Sequence, residues 1–105
     1  MIKVVRSGEA VVREIAPSYH AHNFISKDIA PNFSLAVNEA KDHSETETTQ
    51  YDRIYYVIEG MIKINFNGEE LELRAGDSCF IGKGTTYQFG GTFKAVVVNQ
   101  PAFGS

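Results

Sequence analysis

Glycine-bearing turns cut residues 51–87 into short apolar runs, and no other feature restricts the fold of this chain as much. The turns fall at Glu59-Gly60, Asn67-Gly68 and Ala75-Gly76-Asp77. The runs they separate are too short for helices and rich in β-branched and aromatic residues, the pattern of successive antiparallel strands. Met61–Phe66 alternates, with Lys63 and Asn65 opposite Ile62, Ile64 and Phe66. Glu69–Arg74 alternates likewise around Leu71 and Leu73. Ile54–Ile58 is apolar on both faces, as expected of a central strand covered on each side.

The rest of the chain extends the pattern. Residues 2–6 and 9–15 read as short strands broken by Ser7-Gly8, and Pro17-Ser18 ends the second. Residues 19–25 and 32–38 follow, the latter with Phe33, Leu35 and Val37 expected on one face. Asp77–Ile81, Thr85–Phe89 and Phe93–Asn99 complete a set of about ten short strands with no amphipathic helix. Residues 39–50 are polar throughout, open to reading as a solvated loop or lid. Their threonines, just ahead of the Tyr51–Glu59 strand, suggest that part of the segment pairs into the sheet and lines something polar. An all-β sandwich or closed barrel is predicted, as one domain over residues 1–105.

Bulk properties narrow the function. A net charge of -3, with scattered basic residues, gives no electrostatic footprint for nucleic acid. No apolar run approaches the ~20 residues of a membrane span, and the N-terminus is too polar for a signal peptide, so a cytoplasmic location is expected. The single cysteine, Cys79, sits in an apolar strand, where a small buried hydrophobe is expected rather than a nucleophile. His20 and His22 share a face if extended, but two imidazoles make only half a tetrahedral metal site, so a pair without metal is expected.

The skeleton around Gly60, Gly76 and Gly84 resembles that of the cupins, whose motifs are Gly-x5-His-x-His-x3–4-Glu-x6-Gly and Gly-x5-Pro-x-Gly-x2-His-x3-Asn. The likeness covers about residues 33–101. It implies a double-stranded β-helix, or jelly-roll barrel, commonly dimeric. The phrase Tyr51-Asp52-x-Ile54…Val57-Ile58-Glu59-Gly60, then Gly76-Asp77-x-x-Phe80-Ile81-x-Lys83-Gly84-Thr85 and a closing Pro101-Ala102, is most similar to the barrel of ethanolamine-utilisation proteins. That group also lacks the usual histidines.

Metal ligands are absent at the motif positions. Arg53 stands for the glutamate, Thr46 and Thr48 or Glu47 and Thr49 for the histidine pair, Tyr87 for the last histidine and Gly91 for the asparagine. A guanidinium cannot coordinate a cation and repels one. No cofactor is therefore expected, the fallback being a metal held by His43, Glu45 and Glu47. Arg53 shares an inward face with Tyr51 and Tyr55, and Tyr87 and Phe89 join it. Two readings stay open. In one, Arg53 holds a small polar or anionic ligand among these aromatic side chains; in the other it pairs with Glu45 or Glu47. An isomerase, epimerase or lyase would use Tyr87, its pKa lowered by Arg53, and Glu47 as acid and base. A homodimer would cover the outward Ile54, Tyr56 and Ile58.

Overall fold

A computed structural model describes all residues, 1–105. After a 3-10 turn at Ser7–Glu9 come seven strands: β1 (Val11–Ala16), β2 (Tyr19–Ile25), β3 (Ser34–Thr48), β4 (Asp52–Phe66), β5 (Glu69–Arg74), β6 (Ser78–Ile81) and β7 (Thr86–Gln100). Every pairing is antiparallel, in the order β1-β2-β3-β7-β4-β5, with β6 added alongside β4. The all-β expectation is met; the count of ten is not.

Most of the difference has one physical cause. A glycine marks a tight turn and a bend inside a strand equally well, and two of the expected breaks, at Gly60 and Gly90-Gly91, are bends. β3, β4 and β7 are each 15 residues long and fold the sheet over on itself. In β4 the bend is at Gly60, where φ is 78° and the register shifts between Val57 and Glu59. A Cβ there would collide with the Thr92 carbonyl oxygen, so only glycine lets β7 run this close. The extra residue switches the buried face of β4 from Arg53, Tyr55 and Val57 to Ile62 and Ile64. In β3 the bend lies at Asp42, with φ 47°, and the register slips between Ala40 and His43. In β7 it falls at Gly90-Gly91.

Two further expectations change. Residues 2–6 form no strand. In β3 the buried residues are Ser34, Asn38, Ala40 and His43, while Phe33 just before it is exposed and Leu35 and Val37 lie half-buried on the outer face. The inner surface is polar here because it lines a cavity, so the apolar alternation points the wrong way. The segment 39–50 is strand as far as Thr48.

The core is a single cluster in which Tyr55, Phe89, Ile62 and Val57 are the largest fully buried side chains. β4 is covered on one face only, since Ile54, Tyr56 and Ile58 remain 43–48% exposed. Cys79 is half-buried against the core, and burial raises its thiol pKa, in line with a packing role.

Candidate functional site

Strand register assembles the site in rows across the inner sheet surface. Arg53 of β4 lies opposite Asn99 of β7, which lies opposite Ser34 of β3. The next row runs Tyr55, Val97, Ala36 and Asn23. The third runs Val57, Ala95, Asn38, Ala21 and, on β1, Arg13. Apart from the core residues Val57 and Ala95, these rows floor and wall a cavity of about 140 Å³, also lined by Tyr19, Glu45 and Glu47. Arg13 and Phe103 border both this cavity and an outer hollow of about 460 Å³ beside the N-terminal segment. The Arg13 guanidinium stacks 4.5 Å over the Phe103 ring, a cation–π contact at the mouth.

Arg53 is only 6% exposed. Its Nε donates to Asn99 Oδ1 at 2.7 Å, and its Nη1 to Glu47 Oε1 and to Tyr87 Oη, the latter at 3.0 Å. Tyr87 Oη in turn donates to Glu47 Oε1 at 3.2 Å and meets Tyr55 Oη at 2.9 Å. Nη2 donates to no protein acceptor. The motif positions for one histidine, the glutamate and the last histidine, here Glu47, Arg53 and Tyr87, thus do converge. What meets there is an ion pair bridged by a phenol. The donor set does not fit the metal of the cupin motifs, because a cation fixed by its own carboxylate stands among the ligand positions.

Both readings of Arg53 therefore bear on the same group: it pairs with Glu47 and still presents Nη2. Burial opposes its charge, but the Tyr55 and Tyr87 phenols and the Glu47 carboxylate outweigh that, so its pKa is raised. The expectation of a lowered Tyr87 pKa is corrected. Burial pushes it up to about 12, and Arg53 offsets only part of the rise. Tyr87 is 2% exposed and lies behind Arg53, outside the cavity lining. Phe89 is core, and Tyr51 holds the C-terminal tail, accepting from Gly104 N at 2.7 Å.

His43, Glu45 and Glu47 are not brought together as a metal-ligating group. Glu45 meets His43 Nε2 at 2.7 Å, Ser18 Oγ meets His43 Nδ1 at 2.8 Å, and Tyr19 stacks on the imidazole at 4.6 Å. Glu47 is taken by Arg53. His20 and His22 do share a face; each lies near its own carboxylate, Glu14 at 3.4 Å and Glu39 at 3.7 Å.

Among the cavity residues missed in the sequence are Arg13, Tyr19, Asn38 and Asn99. Asn38 carried the best signal, a residue disfavoured in strands at the end of an apolar alternation. At the back of the cavity Asn38 Nδ2 donates to Tyr19 Oη at 2.7 Å, and Asn38 Oδ1 is buried with no partner.

Folded long strands around a polar inner cavity define a small cupin. The same fold is seen in an RmlC-like cupin of Shewanella frigidimarina NCIMB 400, with a TM-score of 0.80 at 15% identity over 94% of this chain and 90% of that one. The family profile described as "Ethanolamine utilisation protein EutQ" matches residues 7–102, and the chain belongs to that family. An ethanolamine utilization protein Q of Salmonella typhimurium LT2 superposes with a TM-score of 0.83 at 22% identity, covering 96% of this chain and 87% of that one. A curated Clostridioides difficile (strain 630) relative, named "Acetate kinase EutQ", is 26% identical over 88 residues, 84% of this chain. The chain spans only 56% of that relative's length. No helix is long and apolar enough to cross a membrane.

Proposed function

We propose that this chain is a metal-independent binding cupin, dimeric, that takes a small polar molecule with an acidic group into its barrel. One observation carries the reading: Arg53 is buried, held by Glu47, Tyr87 and Asn99, and its unpartnered Nη2 is left for an acceptor brought by a ligand. Arg13, with no carboxylate partner, supplies a second cation at the mouth. A carboxylate between the two would make charge-assisted hydrogen bonds in a partly desolvated site, where they are strongest.

A catalytic reading draws on Glu47, whose side chain is 29% exposed beside the cavity and can exchange a proton with a bound molecule. Tyr87 then acts as a positioning residue, because it touches Glu47 and not the cavity. The name of the Clostridioides difficile relative makes acetate the first carboxylate to try, and phosphoryl transfer to acetate the first turnover to assay.

The test is calorimetric titration of acetate and larger carboxylates into wild type, Arg53→Lys and Arg53→Gln, with circular dichroism as the folding control. Saturable binding to wild type is expected, at least about tenfold weaker in Arg53→Gln. Arg53→Lys should be intermediate, since it keeps charge and loses the fork. Binding unchanged in a folded Arg53→Gln, or no carboxylate bound by wild type, overturns the reading.

A further inference from the structure

The back wall of the cavity says something more about the ligand, on top of the reading of the barrel as a carboxylate site, on which this inference rests. Asn38 is 7% exposed and Tyr19 is 4% exposed, and the two side chains meet at 2.7 Å. The amide donates to the phenol, which leaves Asn38 Oδ1 without a donor and the Tyr19 hydroxyl proton without an acceptor. Exchanging the amide oxygen and nitrogen does not repair this. The phenol then donates to the amide oxygen and the amide N–H groups are left over. In either arrangement the pair is short of a partner, and burial makes an unmade hydrogen bond of this kind costly. Both side chains line the same cavity as Arg53, so the missing partner comes from whatever the cavity holds.

The chemistry of that partner is constrained. A group that only accepts, such as a second carboxylate, serves the exchanged arrangement alone, leaves Asn38 Oδ1 unpaired in the other, and adds a negative charge beside Glu45 and Glu47. An ammonium only donates and cannot take the Tyr19 proton. A hydroxyl does both: it satisfies the amide oxygen and the phenol O–H together, and in the exchanged arrangement it accepts from the amide N–H. At the opposite side, Arg53 Nη2 calls for an acceptor. The cavity these side chains share holds about 140 Å³, close to the ~150 Å³ that accommodates a ring of benzene size, so both groups belong to a compact molecule.

We infer that the ligand class is a small hydroxy acid, its carboxylate on Arg53 Nη2 and its hydroxyl between Asn38 and Tyr19. Asn38 and Tyr19 are then specificity-determining residues: they separate a hydroxy acid from its deoxy and amino counterparts, while Arg53 sets affinity for all three.

The experiment measures binding of propionate, of its 2- and 3-hydroxy derivatives, and of the matching 2- and 3-amino acids to wild type, then repeats the series on Asn38→Leu and Tyr19→Phe. At least one hydroxy acid should bind about tenfold or more tighter than both propionate and its amino counterpart, and either variant should shrink that gap to within about threefold. Carboxylates that bind with no gain from the hydroxyl overturn this inference and leave the acid site standing, as does an amino acid that binds best. If no carboxylate binds wild type, both readings fall. The wild-type series decides the matter even where a variant does not fold.

Discussion

Arg53 sets the character of this barrel. Its ion pair with Glu47 is a poor source of net stability, because desolvating two charges costs about as much as their attraction returns. The arrangement makes sense as a fixed cation held where a motif carboxylate would otherwise stand. Holding it also fixes Tyr87, which gives a consequence measurable in base. The folded Tyr87 pKa is about 12, burial being the main cause, while an unfolded phenol titrates near ~10. Below pH ~10 both states keep the proton and the stabilisation is whole. As pH rises from there toward 12 the unfolded chain ionises first, so stability falls by about 1.4 kcal/mol per pH unit for this one group. Tyr19 and Tyr55 are shifted up as well, chiefly by burial, so each adds its own loss from the same pH upward. Urea unfolding from pH 9 to 12 should show this decline, less steep in Tyr87→Phe; identical slopes would mean that Tyr87 titrates as a free phenol. At this scale the positions of Glu47, Arg53 and Tyr87 were legible, because local spacing from Gly60 and Gly76 places them. Asn38, Asn99 and Tyr19 were not. They reach the site through the register between strands far apart in sequence, which no local pattern encodes.

The elements tell the same story at a larger pitch. Strand existence and antiparallel pairing followed from alternation and turn residues, and residues 69–74 and 78–81 emerged nearly as expected. What alternation could not supply was phase. In β3 a polar inner face inverts the usual rule, and in β4 the bulge before Gly60 exchanges inside for outside. Gly60 and Gly68 separate the two roles a glycine plays here. Both have positive φ, 78° and 77°. A Cβ on Gly68 meets nothing within 4 Å, whereas on Gly60 it runs into the Thr92 carbonyl. Gly68→Ala should therefore cost only the strain of a left-handed backbone, about 1–2 kcal/mol. Gly60→Ala adds displacement of β7 at the bend and should lose clearly more, about 3 kcal/mol or beyond. Equal losses in denaturant midpoint would show that the bend at Gly60 yields freely, and that the long strands are not fixed by close approach there.

For the whole molecule, the question is what lies against the outer sheet. Cross-strand pairing sets Phe80 beside Ile54 and Ile54 beside Val98, with Leu35 next in line. One row along, Tyr56 faces Val96, and Val96 faces Val37. Four strands thus present one continuous apolar surface, and Phe80 at its edge is 66% exposed. Rows of this kind are far from the scattered single hydrophobes of an ordinary surface. A second copy of the chain would cover them with an identical patch, as two-fold pairing requires. Wild type should accordingly sediment as a dimer. A charge on each of two copies of residue 54 would be brought together and desolvated, so Ile54→Glu should sediment as a monomer at micromolar concentration. Because Ile54 is already 45% exposed in a single chain, that variant should keep the far-ultraviolet spectrum and the carboxylate binding of the intact barrel. A monomeric wild type, or an Ile54→Glu/Tyr56→Glu double variant that stays dimeric, would remove this surface as the interface. Loss of carboxylate binding on dissociation would be a different result: it would tie the cavity to the partner copy.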